Sequence, residues 1–201
     1  PADGITAEVV VVENYQQLAA LGRDKVAGKI VLYNAKFDRA LAASGHGLEA
    51  YGQAVMYRGG GASRAAQYGA VAALNRSAGG AEYRLPHTGG MNYQANLEKI
   101  PAAAVSAEDA EMIAALAKQG PVRLHLTLTP KTLPEEQSYN VIADLKGAVH
   151  PEQVIIVSGH LDSWDLGTGA IDDGAGVVAA MQVVNLIKQL GLKPARTIRV
   201  V

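Results

Sequence analysis

Residues 154–176 read VIIVSGHLDSWDLGTGAIDDGAG. The four apolar residues at 154–157 leave no polar alternation to face water, so they read as a central strand buried on both faces. The chain then changes character: His160, Asp162, Asp165, Asp172 and Asp173 stand among glycines within eighteen positions, in a chain with only five histidines and 18% charged residues. From Ile171 the apolar spacing turns helical and runs to Leu190, where Gly191 and Pro194 close it. Residues 197–201, TIRVV, open another strand. Strand, helix and strand in this order open an α/β sheet. The right-handed crossover rule places residues 154–158 beside residues 197–201.

The polar cluster sits where open α/β sheets bind ligands, in the crevice outside the carboxyl ends of the strands. His160 and Asp162, two residues apart, face the same side of an extended chain. That suits a metal-ligating imidazole whose second nitrogen donates to a carboxylate, which fixes its tautomer. Asp172 and Asp173 precede the helix, where a carboxylate meets the positive end of the helix dipole and can also bridge two cations. Each feature alone has a plainer explanation. A histidine after a strand is commonly a hydrogen-bonded surface residue, an aspartate before a helix is an N-cap, and the glycines serve turns. Gly167-x-Gly169 does not continue as a dinucleotide fingerprint, and no phosphate-loop lysine follows. The functional reading rests on strand end, His-x-Asp, glycine loop and acidic helix start occurring together, with the capping and ligand roles expected to fall on the same residue, Asp172.

Upstream, 201 residues allow one large domain or two small ones. Residues 7–12 (AEVVVV) and 29–34 (KIVLYN) read as strands. Residues 35–58 suit helix broken by Gly45 and Gly47, and the triplet Gly59-Gly60-Gly61 reads as a stop, with a short helix over 62–68. Residues 70–74 and 100–105 read as strands, and the Gly-, Asn- and Tyr-rich stretch 77–98 as loop. Ser106 with Asp109 makes a capping box for a helix over 107–118. Residues 122–129 alternate apolar and polar, as a half-buried strand does. The polar stretch KTLPEEQS at 131–138 is the best linker and divides the chain into 1–132 and 133–201.

A net charge of −1 with scattered Lys and Arg excludes nucleic acid as the expected partner. No uninterrupted apolar run reaches the ~18 residues of a membrane span. With no cysteine there is no disulfide and no thiolate ligand or nucleophile.

The segment SGHLDSWDLGTGAIDDGAG resembles the first metal motif of the two-zinc exopeptidase family, in its carboxypeptidase branch. PHTGG at 86–90, KIPAAAVSAEDAEM at 99–112, HPEQVIIVSGHLDSWD at 150–165 and GLKPARTIRVV at 191–201 extend the likeness in order along nearly the whole chain. The resemblance implies that His160 ligates one zinc and Asp172 bridges two. It gives Asp162 the role of orienting His160, and makes the Asp172–Asp173 peptide bond cis. Trp164 and Asp165 are expected to shape the loop. Residues 1–132 are then a protease-associated domain, a β-rich α+β unit that covers the active-site cleft. Residues 133–201 are the first strands and helix of the zinc-peptidase α/β sheet. Residues 83–93, with His87 and flanking tyrosines, become a candidate for cleft or partner contact.

The implied activity is hydrolysis of terminal peptide bonds of dipeptides or short peptides by a water activated between two Zn2+ ions. A secreted or periplasmic location and a homodimer follow by the same analogy. The family's Glu-Glu pair, which supplies general base and a further ligand, comes after the next strand, beyond Val201; Glu135-Glu136 lies in the linker and does not replace it. The chain is therefore expected to be a fragment, hydrolytically inactive and weak in zinc by itself. The rivals are a non-catalytic protease-associated recognition module and a related dizinc amidohydrolase.

Overall fold

The computed structural model describes residues 2–80, 83–131, 133–164 and 167–201. Asp165, expected to shape the metal loop, and Thr132, at the expected boundary, lie outside them. The chain divides into two compact units, Pro1–Lys131 and Thr132–Val201.

The first unit is built on a five-stranded sheet in the order β4-β3-β2-β1-β5. Its strands are β1 (Ile5–Val12), β2 (Ile30–Tyr33), β3 (Ala72–Arg76), β4 (Ala102–Val105) and β5 (Arg123–Leu126). The first four are parallel and β5 runs antiparallel to β1. Between the strands lie α1 (Tyr15–Val26), α2 (Arg39–Ala43), α3 (Gly47–Gln67) and α4 (Ala107–Ala117). Within the α/β class this unit therefore carries more helix than its β-rich description suggests: two of its three parallel crossovers are helical, and α4 leads on to the antiparallel β5.

The period-two alternation of β2 builds both sides of the sheet. Val31 and Tyr33 pack with Leu18, Val26, Ala62 and Ala65 of α1 and α3. Ile30 and Leu32 point the other way, toward Ala110 and Ile113 of α4. All four β2 residues are buried, as a central strand requires. At the start of α4, Ser106 accepts from the Asp109 N–H at 3.0 Å, so the expected N-cap forms, while the Asp109 carboxylate meets the Ser106 hydroxyl at 2.7 Å in place of the backbone N–H of a full capping box. β5 shows the expected alternation, with Leu124 and Leu126 more buried than Arg123 and His125.

The glycine triplet is a correction. Helix α3 passes through Gly59-Gly60-Gly61 without a break. A β-carbon on Gly61 would lie 2.7 Å from Cε2 of Tyr33, and the Tyr33 hydroxyl donates to the Gly61 carbonyl at 2.8 Å. Gly61 is there for close packing, and the helix survives the low propensity because tertiary contacts hold it. The real interruption lies earlier, at Gly22, where positive φ (65°) kinks α1.

The second unit has a three-stranded sheet, β6 (Ala143–Leu145), β7 (His150–Val157) and β8 (Arg196–Val200), in the order β6-β8-β7. β7 and β8 are parallel neighbours, with Ile155 opposite Ile198, as the crossover rule predicts. Helix α5 (Gly176–Gln189) makes the crossover and packs on β8. Arg199 of β8 holds Asp144 of β6 in a two-point ion pair, both contacts at 2.8 Å, which keeps the Asp144 carboxyl below the usual carboxylate range. Among the described residues β7 has one neighbouring strand, β8. Val154, Ile155 and Ile156 are 43%, 49% and 63% exposed, and β8 is the middle strand. Only a strand's partners, not its own sequence, settle that position. Ala170–Gln189 is long and apolar enough to cross a membrane by length and composition only, with mean hydropathy 1.3; its apolar residues are interrupted by Asp172 and Asp173, so no unbroken run reveals it.

Candidate metal centre

The polar loop starts where β7 ends. Beyond the strand, Val201 N–H still donates to Val157 and Gly159 N–H to Val201, so the backbone reaches His160 in extended form. Gly159 lies directly against the start of α5: a β-carbon there would come within 2.5 Å of the Val177 nitrogen. The return of the loop is set by Gly169, at φ 66°, whose carbonyl accepts from Gly174 N–H at 2.8 Å. An irregular turn, Ala170–Ala175, then leads into α5, and within it Asp172 and Asp173 depart from helical angles and share a cis peptide bond.

This path brings His160 and Asp172 together. Nε2 of His160 stands 3.0 Å from Oδ1 of Asp172. The other ring nitrogen, Nδ1, faces the Asp162 backbone carbonyl at 2.9 Å and the Asp162 carboxylate at 3.3 Å. Oxygens of both kinds only accept, so Nδ1 carries a proton and the ring orientation is fixed from that side. The contact with the Asp162 carbonyl raises the His160 pKa above its ordinary value; desolvation opposes it, and the Asp172 and Asp162 carboxylates add to the rise. His160 is half exposed and Asp172 more so. Beside them is an open cavity of about 330 Å³ bordered by Tyr139, Asn140, Ser158, His160 and Asp162.

The adjacent acids divide the work. Asp173, not Asp172, bonds to the start of α5: its Oδ1 accepts from Gly176 N–H at 3.1 Å, while its Oδ2 accepts from His160 N–H at 3.3 Å; the N-cap position itself is Ala175, with no side-chain cap. The expectation that cap and ligand coincide in Asp172 is thereby corrected.

The imidazole Nε2 and the Asp172 Oδ1, which contact each other at 3.0 Å, are an N/O donor pair of the kind zinc takes. Among the described residues no group of three or more His, Asp or Glu side chains converges on one point. Trp164 is exposed and accepts from Gly167 N–H through its carbonyl at 2.9 Å, a loop-closing contact. In the other unit, His87 meets the Tyr51 hydroxyl at 3.0 Å, and Arg58 donates to the carbonyls of Thr88 and Gly90. Residues 87–90 are thus strapped to α3. Burial, and after it the Arg58 charge, lowers the pKa of His87.

Residues 140–201 match the model of Peptidase family M28. Over its whole length the chain is 45% identical to carboxypeptidase Q of Xenopus laevis and 43% identical to carboxypeptidase Q of Homo sapiens. It spans 40% of the length of each of these relatives. A solved structure of a Peptidase M28 precursor from Shewanella amazonensis superposes with a TM-score of 0.86 at 40% identity, covering 100% of this chain and 44% of that one. The zinc aminopeptidase of Bacillus subtilis is similar in fold, with a TM-score of 0.56 at 20% identity over 99% of this chain and 41% of that one.

Proposed function

We infer the function of a chain that belongs to Peptidase family M28 by its residues 140–201: it is part of a zinc-dependent exopeptidase that removes terminal residues from dipeptides or short peptides. The observation that carries this reading is the placement of His160 Nε2 opposite Asp172 Oδ1 at 3.0 Å with Nδ1 anchored on Asp162. His160 offers Nε2 as a ligand while its Nδ1–H donates to Asp162, which holds the ring. Asp172 offers a carboxylate with two oxygens, enough to reach two cations. Zinc bound there supplies Lewis acidity and lowers the pKa of a bound water toward neutrality. Support for zinc comes from this N/O donor set and from the family match, and the two-zinc count rests on the likeness of the motif.

The first unit is assigned in this reading as a protease-associated domain, residues 1–132, and residues 133–201 as the beginning of the catalytic domain. The parent protein acts outside the cytosol, as a homodimer. The 201 residues alone contribute two ligands and no general base, so they hydrolyse nothing by themselves. The test is the longer protein that contains this chain, assayed for zinc content and against a panel of dipeptides, with His160→Ala and Asp172→Asn beside the wild type. Chelation is expected to abolish hydrolysis, and each variant to lose zinc affinity by more than about 100-fold, above the cost of disturbing an outer-shell partner. Hydrolysis that persists without metal, or variants with undiminished zinc affinity, would sink the assignment. Metal-dependent hydrolysis by residues 1–201 alone would refute the claim that they are inactive.

A further inference from the structure

We propose that Asp173 is a positioning residue of the metal centre, acting through the backbone of His160 and not as a ligand. The inference rests on the reading of His160 and Asp172 as metal ligands. Its two carboxylate oxygens are used on two different elements. Oδ2 accepts from His160 N–H at 3.3 Å, in the segment that leaves β7, and Oδ1 accepts from Gly176 N–H at 3.1 Å, in the first turn of α5. One side chain therefore ties the strand end that presents His160 to the helix that follows Asp172. A carboxylate accepting two backbone N–H groups makes stronger bonds than a neutral acceptor, and at a helix start it also meets the positive end of the dipole.

The surrounding glycines show that the tie has a built seat. A β-carbon on Gly176 would collide with the Asp173 carboxylate, and one on Gly159 would meet the backbone of Gly176 and Val177 at 2.7 and 2.5 Å. One on Gly174 would lie 2.8 Å from the Gly169 carbonyl oxygen. The strand end, the loop return and the helix start touch backbone to backbone, and Asp173 spans the junction. Asp172, its neighbour, is thereby left to face His160 with its own carboxylate.

Two variants of the full parent protein test this, each by a different route. Asp173→Asn keeps the shape but turns an NH2 group toward one of the two N–H donors, so one bond is lost. Gly176→Ala keeps the carboxylate and displaces it. For both, zinc affinity measured by chelator competition is expected to fall about 10–100-fold, the cost of disturbing an outer-shell partner. In the metal-free protein the amides of His160 and Gly176 are expected to exchange at least about tenfold faster, since local opening limits their protection. With cobalt at saturation, the visible absorption bands of Asp173→Asn should keep their wild-type positions, because the ligand set is unchanged. Wild-type zinc affinity in both variants, or a shifted cobalt spectrum, would overturn the proposal; so would unchanged exchange at the two amides. If His160→Ala and Asp172→Asn leave zinc binding intact, the ligand assignment fails instead, and the exchange measurement still decides whether Asp173 holds the two segments.

Discussion

Tyr33 and Gly61 share a space that only one side chain can occupy. The Tyr33 hydroxyl donates to the Gly61 carbonyl at 2.8 Å, and the ring lies where a Gly61 side chain would begin. Tyr15 and Tyr57 pack on the same ring at centroid distances of 5.6 and 5.4 Å. The end of β2 and the middle of α3 are therefore in direct contact through a three-tyrosine cluster.

Substitutions within the glycine triplet should consequently split in sign. Gly61→Ala forces a methyl group into the Tyr33 ring and is expected to cost about 1–3 kcal/mol, the range for overpacking. At Gly59 a β-carbon meets nothing within 4 Å. There, Gly→Ala is expected to stabilise by up to about 1 kcal/mol, through helix propensity alone. Denaturant unfolding of the two variants gives both signs in one experiment. Equal effects would mean that the Tyr33 contact does not form.

The same cluster sets an alkaline limit. Burial, with the neighbouring Tyr57, pushes the Tyr15 pKa up to about 12 against the opposing Arg64 charge. Tyr33 is raised further, by burial first and then by Tyr15. Folded values above the ordinary tyrosine value of 10.0 favour the neutral phenols in the folded state. Their contribution to stability is complete below pH 10 and declines as pH rises through the folded values. An absorbance titration should show Tyr15 and Tyr33 ionising only as circular dichroism reports unfolding. A single transition for all eight tyrosines, with the fold intact, would contradict this.

Ser106→Ala removes the cap of α4, whose hydroxyl is buried and bonded twice to Asp109. The expected loss is about 1 kcal/mol, with a range of roughly 0.5–2. Ser106→Asp, which restores an acceptor, should recover less than the full loss, because its carboxylate would meet that of Asp109. Thermal unfolding of the three forms ranks them, and an alanine variant as stable as the wild type would remove the cap from the account.

Asp162→Ala should weaken zinc binding in the parent protein by about tenfold, at the low end of the 10–100-fold usual for outer-shell partners. The reason is that His160 Nδ1 leans on two oxygens of Asp162, and the nearer, at 2.9 Å, is the backbone carbonyl, which no substitution removes. A loss as large as that of His160→Ala would show that the carboxylate alone orients the ring.

Much of the fold can be read where one local rule decides the outcome. Ser106 and Asp109 cap a helix because their spacing allows nothing more favourable, and Leu124 and Leu126 turn inward because the strand period is two. The pairing of β7 with β8 follows from the strand-helix-strand order, because consecutive elements are usually neighbours. The misreading at 59–61 has a different cause. Three glycines in a row look the same whether they end a helix or admit a tyrosine ring from another element. At the site, His160, Asp162 and Asp172 stand out by residue type and spacing. The division between Asp172 and Asp173 does not, because it depends on which way two consecutive carboxylates turn in an irregular stretch of backbone.

The passage of α3 through Gly59-Gly60-Gly61 has a consequence for the order in which the first unit assembles. A helix with three of the least helix-favouring residues together cannot propagate across them unaided. Its two ends, 47–58 and 62–67, can flicker into helix early, but their joining must wait for Tyr33 to be presented by a formed β2. The Tyr33 side chain then acts as a checkpoint in folding: the longest helix of the chain is completed only after the sheet beneath it exists.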